Sequence, residues 1–282
     1  MFQCIIENEY GEQLELTNNK NYTVYKIEGL EPPNATINTS PIANSDGSRY
    51  NSARTDERNI VIYLVIEGDC ETNRINLYKY VRTKRYIKVY CKNATRNVYT
   101  EGYVESMPIG YFEMKQAIQI SILCPYPYFK SVHSDITDFS RLIPEFTFPF
   151  AYDMQGEPFS TIEINREQSI LNSGDIENGA IITIQAIGRV LNPVIYNFSK
   201  NEYFKLNMEL LTGDQVVIST NKSQKRVTYK HNGKDTNVIN YMERGSTWFE
   251  LLVGDNIFGY DADESPENLL CTLTHCDEYE GV

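Results

Sequence analysis

Histidine and tryptophan are scarce here, with three of the first and one of the second in 282 residues. His133, His231 and His275 lie far apart, and no His-Glu-x-x-His, Gly-x-Ser-x-Gly, Walker-type or Gly-x-Gly-x-x-Gly pattern accompanies them. A nucleophile–base pair and a nucleotide cradle are therefore not indicated, and the chain reads as no enzyme, with no catalytic residue and no cofactor. No window approaches an uninterrupted apolar run of about eighteen residues, so no membrane insertion is expected. The opening Met1 to Glu7 lacks the basic segment and long apolar core of an export signal. Cys-x-x-Cys pairs are missing too. The six cysteines (4, 70, 91, 124, 271, 276) mostly sit among apolar strand residues and read as free buried thiols.

Basic charge is in deficit, and the deficit is local. Residues 1–131 carry 15 basic and 15 acidic side chains, whereas 132–282 carry 11 and 23, so the whole net charge of −12 belongs to the second half. An acidic chain lacks the clustered Lys and Arg that neutralise phosphates, which argues against direct sequence-specific nucleic-acid binding. One stretch departs from this. Between Thr72 and Thr100 lie Arg74, Lys79, Arg82, Lys84, Arg85, Lys88, Lys92 and Arg96 and no acidic residue. Such a run is either a solvated face or an electropositive patch facing an acidic neighbour; Arg74, Arg82 and Arg85 are candidate contacts for the second case.

What is abundant is β-forming: 21 Tyr, 12 Phe and many Ile, Val and Thr, punctuated by turn residues. Ile118, Ile120, Ile122 and Cys124 share one face of a strand that stops at Cys124-Pro125-Tyr126-Pro127, because each proline removes a backbone donor from the ladder. A domain boundary is placed just beyond it, giving domains 1–131 and 132–282. In the first, Asn59 to Glu67 is apolar on both faces and is expected as a central strand covered on both sides. A single helix follows, capped by Thr72 or Asn73, with Ile75, Leu77, Tyr78 and Val81 inward and Arg74, Lys79 and Arg82 mostly elsewhere. Asn34 to Arg58 is polar and loop-like; loops of this length in a compact domain are functional or disordered. Asp46, Tyr50 and Arg54 within it are candidate interface residues.

The second half reads as about nine short strands without helical period: 159–164, 180–187, 193–198, 203–211, 215–220, 226–231, 247–252, 257–262 and 269–275, preceded by an apolar start at Glu145 to Phe150. That pattern describes a jelly-roll β-sandwich. The fold class is mainly β, a sandwich-like domain with one helix followed by a second sandwich. Cys271, His275 and Cys276 offer zinc-type ligands, but on a strand Cys276 faces away from the other two and a fourth ligand is missing. Asp261-Ala262-Asp263-Glu264-Ser265-Pro266-Glu267 resembles a calcium loop with proline where the turn glycine belongs. No metal site is assigned. Trp248, in the alternating 247–252 stretch, is the residue a lectin would stack on sugar, and core packing is the competing reading.

The order of these features carries a resemblance. Tyr22-x-Val24-x-x-Ile27-x-Gly29-Leu30-x-Pro32-Pro33, Asp46-Gly47-Ser48-x-Tyr50, Arg58-Asn59-Ile60, one helix, and Gln119-x-x-x-x-Cys124-Pro125-x-Pro127-Tyr128-Phe129 resemble the siphophage-type distal tail protein family. In the second half Phe146-x-Phe148-Pro149-Phe150, Asn172-x-Gly174-Asp175, Asn192-Pro193-x-Ile195, Gly213-Asp214-x-Val216-x-Ile218 and Gly245-Ser246-x-Trp248-x-x-Leu251-x-x-Gly254-x-Asn256 are similar to its galectin-like carboxy-terminal domain. The resemblance implies a virion protein assembled in the host bacterial cytoplasm. Its amino-terminal domain would form a homo-hexameric ring on the tail tube protein, in contact with a tail-tip hub protein and a receptor-binding protein. Siphophage, contractile phage and tailocin particles all remain open. The alternative is an adhesin that binds a cell-surface saccharide through the galectin-like domain.

Overall fold

Period-two alternation runs through most of the chain, and it folds as antiparallel strands. The structure, a computed structural model, describes residues 2–111, 115–144, 160–164, 167–222 and 224–282, by backbone alone at 140–144 and 160–164. The expected strand at Glu145 to Phe150 lies outside the described residues, as does Phe159. In chain order the elements are β1 (Gln3–Asn8), β2 (Gln13–Glu15), β3 (Tyr22–Glu28), β4 (Ala35–Pro41), β5 (Ser48–Thr55), β6 (Arg58–Ile66), α1 (Cys70–Tyr80), β7 (Tyr86–Lys92), β8 (Asn97–Ser106), β9 (Ala117–Cys124) and β10 (Phe129–Ser131). They continue with β11 (Asp135–Asp138), β12 (Ser140–Pro144), β13 (Ser160–Ile164), β14 (Glu167–Asn172), β15 (Ala180–Ala186), β16 (Val190–Asn197), β17 (Glu202–Lys205), β18 (Glu209–Leu210), β19 (Gln215–Ser219), β20 (Arg226–His231), β21 (Lys234–Asn237), β22 (Gly254–Glu264), β23 (Leu269–His275) and β24 (Glu278–Tyr279).

Two compact units result. One holds Met1–Val132 together with Glu278–Val282, the other His133–Asp277. The sequence-based division, which carried the second domain to residue 282, differs from this at the carboxy terminus. Phe129 and Lys130 of β10 pair with Tyr279 and Glu278 of β24, and the Val282 N–H donates to the Leu30 carbonyl at 3.0 Å. Only pairing partners decide where such a short terminal segment goes.

In the first unit the sheet runs β2-β1-β7-β8-β9-β6-β3, with β10 beside β8. Cys4 and Ile6 of β1, Ile60, Ile62 and Leu64 of β6, Ile87 and Val89 of β7, and Ile118, Ile120, Ile122 and Cys124 of β9 meet in one buried cluster, as alternation requires. The strand expected at the centre, β6, instead stands next to the edge strand β3. Its second face, with Val61, Tyr63 and Val65, is only half-buried. Helix α1 begins a turn earlier than expected. Asp69 is its N-cap, accepting from the Thr72 N–H at 3.3 Å and the Thr72 hydroxyl at 2.6 Å. The buried positions are Arg74 and Leu77, followed by Val81, while Ile75 is exposed.

In the second unit the sheets β11-β23-β15-β19-β20-β21 and β14-β22-β16-β17, with β18 beside β16, enclose one core. Ile182, Ile184, Val216, Ile218 and Leu273 come from the first sheet, and Ile195, Phe204 and Phe258 from the second. This is an antiparallel sandwich. The expected strand at 247–252 is not a strand. Its backbone joins its neighbours at an isolated bridge, Leu251 with Asn178, and through the Thr247 N–H on the Tyr203 carbonyl at 2.9 Å, while asparagine side chains serve other positions, Asn256 taking the Leu252 N–H at 2.8 Å. β11, β12, β14 and β21 lie outside the expected strands, and the expected 203–211 strand is broken into β17 and β18.

Candidate assembly surfaces

The stretch expected as a loop, 34–58, is a two-stranded arm. Among the described residues β4 and β5 pair only with each other, from Ala35 with Thr55 to Pro41 with Ser48, with a register shift between Asn38 and Thr39. Every residue from Asn34 to Thr55 is exposed. Cross-strand side chains lace it: Asn38 Nδ2 donates to Ser52 Oγ at 3.1 Å and Asn51 Nδ2 to Ser40 Oγ at 2.5 Å. A ribbon of two strands with no apolar face against a core is marginal in water. Yet Ile37, Ile42 and Tyr50 project from it into solvent. Asp46 lies in the connecting turn and Tyr50 and Arg54 lie on β5, Arg54 with Nε 3.6 Å from Asp56.

Arg58 anchors the base of the arm. It is 3% exposed. Its Nε donates to the Pro127 carbonyl at 2.6 Å, Nη2 to Glu280 at 2.6 Å, and Nη1 to Glu31 at 2.7 Å and to Gly29. The guanidinium lies over the Phe129 ring, 4.4 Å from its centroid. Burial lowers its pKa below the usual arginine value, partly offset by nearby Cys124 and Glu31. Gly29 permits this arrangement: its φ is +82°, and a Cβ there would stand 2.1 Å from the Asn59 carbonyl oxygen. At the other side of the base, Thr55 Oγ1 meets the Tyr128 hydroxyl at 3.1 Å. Arg96 grips the same terminal segment, donating to the Gly281 carbonyl and lying over Tyr279. Sequence reading placed Arg58 in a motif and Arg96 in the basic run but named neither as a candidate contact. A signal for Arg58 existed, because alternation places it on the same face as Ile60 and Ile62, where a charge needs a reason.

The basic run is less bare than its sequence suggests. Arg74, a candidate contact, is 9% exposed, pairs with Glu71 and lies over the Tyr111 ring at 4.9 Å. Its stem follows the buried face of α1 while its head finds a carboxylate. Arg85 is exposed with Nη1 3.7 Å from Glu9, and Lys88 stands 3.7 Å from Glu101. The sheet brings in acids from outside the window. Arg82 is exposed in the turn after α1.

In the second unit Trp248 packs its ring edge-on against Phe204, with centroids 5.2 Å apart, and belongs to the rim of the core. The acidic 261–267 stretch does not converge on one point. Asp263 takes Lys205 Nζ at 2.7 Å and Asn192 Nδ2 at 2.8 Å, and Glu264 takes Arg189 Nη1 at 2.6 Å. The zinc-type trio also separates. Cys271 is buried in β23 with its thiol pushed up by burial, while Cys276 Sγ meets Ser134 Oγ at 3.1 Å. A polar centre that sequence did not reveal lies at Asp214, which is 1% exposed. It accepts from the Leu211 N–H and the Tyr229 hydroxyl, both at 2.8 Å, and lies 2.5 Å from His231 Nδ1. Burial opposes its charge, but the hydrogen bonds outweigh it and hold the carboxyl below its usual value. Burial, then the bond to Asp214, pushes the Tyr229 phenol up to about 12.

Residues 173–279 match the family model of the siphovirus-type tail component, C-terminal domain. Among solved structures the chain is similar, over 99% of its length and 99% of the other, to the SPP1 Dit (gp 19.1) protein, described as a paradigm of the hub adsorption apparatus in Gram-positive infecting phages; the TM-score is 0.69 at 11% identity. It is similar over all of both chains to a chain of the phage P2 baseplate in its activated conformation with Ca, TM-score 0.57 at 11% identity. The same baseplate with Sr gives TM-score 0.58 at 13% identity, again over the full length of both chains. No curated protein matches the sequence significantly.

Proposed function

We propose that the chain is the structural hub at the distal end of a phage or phage-like tail, a homo-hexameric ring joining the tail tube protein to the tail-tip hub protein. The first unit forms the ring, and the second, a galectin-like sandwich, serves as the outward platform toward a receptor-binding protein. The particle is assembled in the host bacterial cytoplasm and works as part of the virion tail. The observation that carries the reading is the arm. A ribbon exposed at every position, with Ile37, Ile42 and Tyr50 in solvent and its base clamped by Arg58, has no strand partner beyond its own hairpin among the described residues. Apolar side chains on an unpaired ribbon are satisfied by a neighbouring copy. Asp46, Tyr50 and Arg54 of the arm and the exposed Arg82 and Arg85 are placed at that contact; Arg74, held by Glu71 and Tyr111, acts from behind it.

Mass photometry of the purified chain across a concentration range tests this. Chains of 32.5 kDa assemble to about 195 kDa as a hexamer. Replacing 35–55 by a short Gly-Ser linker leaves a folded monomer that no longer assembles. A hexamer that survives loss of the arm overturns the assignment of the contact. A strict monomer that titrates saturably with a saccharide overturns the ring itself.

A further inference from the structure

The chain enters the second unit at His133 and leaves it after Asp277. At that point Asp135, the first residue of β11, is in register with His275, the last of β23. Directly opposed residues of an antiparallel pair project to the same face. One ring nitrogen of His275 and one carboxylate oxygen each of Asp135 and Asp277 lie within 4.8 Å of one another. His275 is 3% exposed. Its Nε2 stands 3.2 Å from the Leu171 carbonyl oxygen and 3.6 Å from Asp277 Oδ1, while its Nδ1 is buried without a hydrogen-bond partner. Nε2, the nitrogen beside Asp277, also lies against the Leu171 carbonyl, and Nδ1 is left buried with no partner, so the ring keeps one nitrogen that no group of the described chain serves. A second orphan flanks the same stretch. Asn178 Oδ1 is buried without a partner, while its Nδ2 donates to the Cys276 carbonyl, between His275 and Asp277, at 2.5 Å. The Ser173 N–H on Asp277 Oδ1, at 3.2 Å, orients that carboxylate.

We propose that Asp135, His275 and Asp277 bind one divalent transition-metal ion of the zinc or manganese class, fastening the first strand of the second unit to its last. Imidazole nitrogen with two carboxylates is a donor set for these ions, whereas calcium takes oxygen ligands. Three protein ligands leave further positions to water, and exposed Asp135 is the side from which the ion enters. All three residues lie within the second unit.

The full chain, purified without a histidine tag and stripped with chelator, is titrated with Zn2+, Mn2+ and Ca2+ chlorides, reading stoichiometry by calorimetry and stability by melting. One Zn2+ or Mn2+ per chain is expected, with Tm raised by at least about 3 °C, and no response to Ca2+ at the same concentration. Asp135→Asn, at an exposed position, leaves the metal-free Tm unchanged and weakens binding by about 100-fold or more. His275→Gln abolishes binding if it folds; should it not fold, Asp135→Asn decides. The proposal is overturned by absence of stoichiometric binding, by wild-type affinity in Asp135→Asn, or by Ca2+ binding as tightly as Zn2+.

Discussion

At the scale of single residues, two buried charges each gather several partners, carbonyls around Arg58 and donors around Asp214. Arg58 serves four carbonyl oxygens from three parts of the first unit, Gly29 and Glu31, Pro127, and Glu280. Arg58→Ala leaves those oxygens in an apolar pocket, and a loss of about 3–5 kcal/mol in denaturant unfolding is expected. Arg58→Lys recovers little of it, because one ammonium cannot span the fork that a guanidinium spans. Both variants free the end of the chain, which hydrogen exchange reads at the Val282 amide. Asp214 is the counterpart in the second unit. Its folded pKa lies below the ordinary value, so its contribution is complete above about pH 4 and drains away as pH falls through the lowered folded value. Asp214→Asn therefore costs about 2–4 kcal/mol at neutral pH, and the gap to wild type narrows as melting is measured down toward about pH 3.

Among elements, the arm and its hinge stand apart from the rest. β4 and β5 are ordered by their own ladder and lean on nothing apolar, so substitutions on them are silent in the isolated chain. Ile37→Asp with Tyr50→Asp is expected to leave the monomer Tm within about 1 °C and to abolish the assembled species, a pair of readouts that separates an interface from a core. Limited proteolysis adds a check: cleavage within 34–55 is fast in the monomer and suppressed on assembly. At the base, Gly29→Ala meets both a φ of +82° and the Asn59 carbonyl oxygen at 2.1 Å. Backbone cannot yield there as a long side chain can, and poorly folded or insoluble protein is expected. The pattern of residues 34–58 concealed the arm because alternation marks a strand only when one of its faces is buried. A ribbon exposed on both faces has the composition of a loop.

For the molecule as a whole, the carboxy terminus matters more than its length suggests. Glu278–Val282 closes the first unit through β24, Arg58 and Arg96, after the chain has built the entire second unit in between. Truncation after Asp277 is expected to lower the melting of the first unit while the second keeps its own transition, as differential scanning calorimetry of full-length and shortened chains would separate.

The sequence by itself determined the mainly β character, the burial of Ile118, Ile120, Ile122 and Cys124 on one face, the stop at Pro125 and the one α-helix among the described residues, because each follows from local periodicity or backbone chemistry. The order of its motifs also carried the resemblance to the tail-protein family, whose model matches residues 173–279. Only the tertiary structure decided that β6 stands beside an edge strand, that Arg74 is buried, that Glu9 and Glu101 answer the basic run, and that Trp248 packs on Phe204. It alone brought Asp135 beside His275 and Asp277. The physical reason is common to all of these: they depend on which distant strands share a ladder, and pairing is set by the global burial of side chains, which no local window contains.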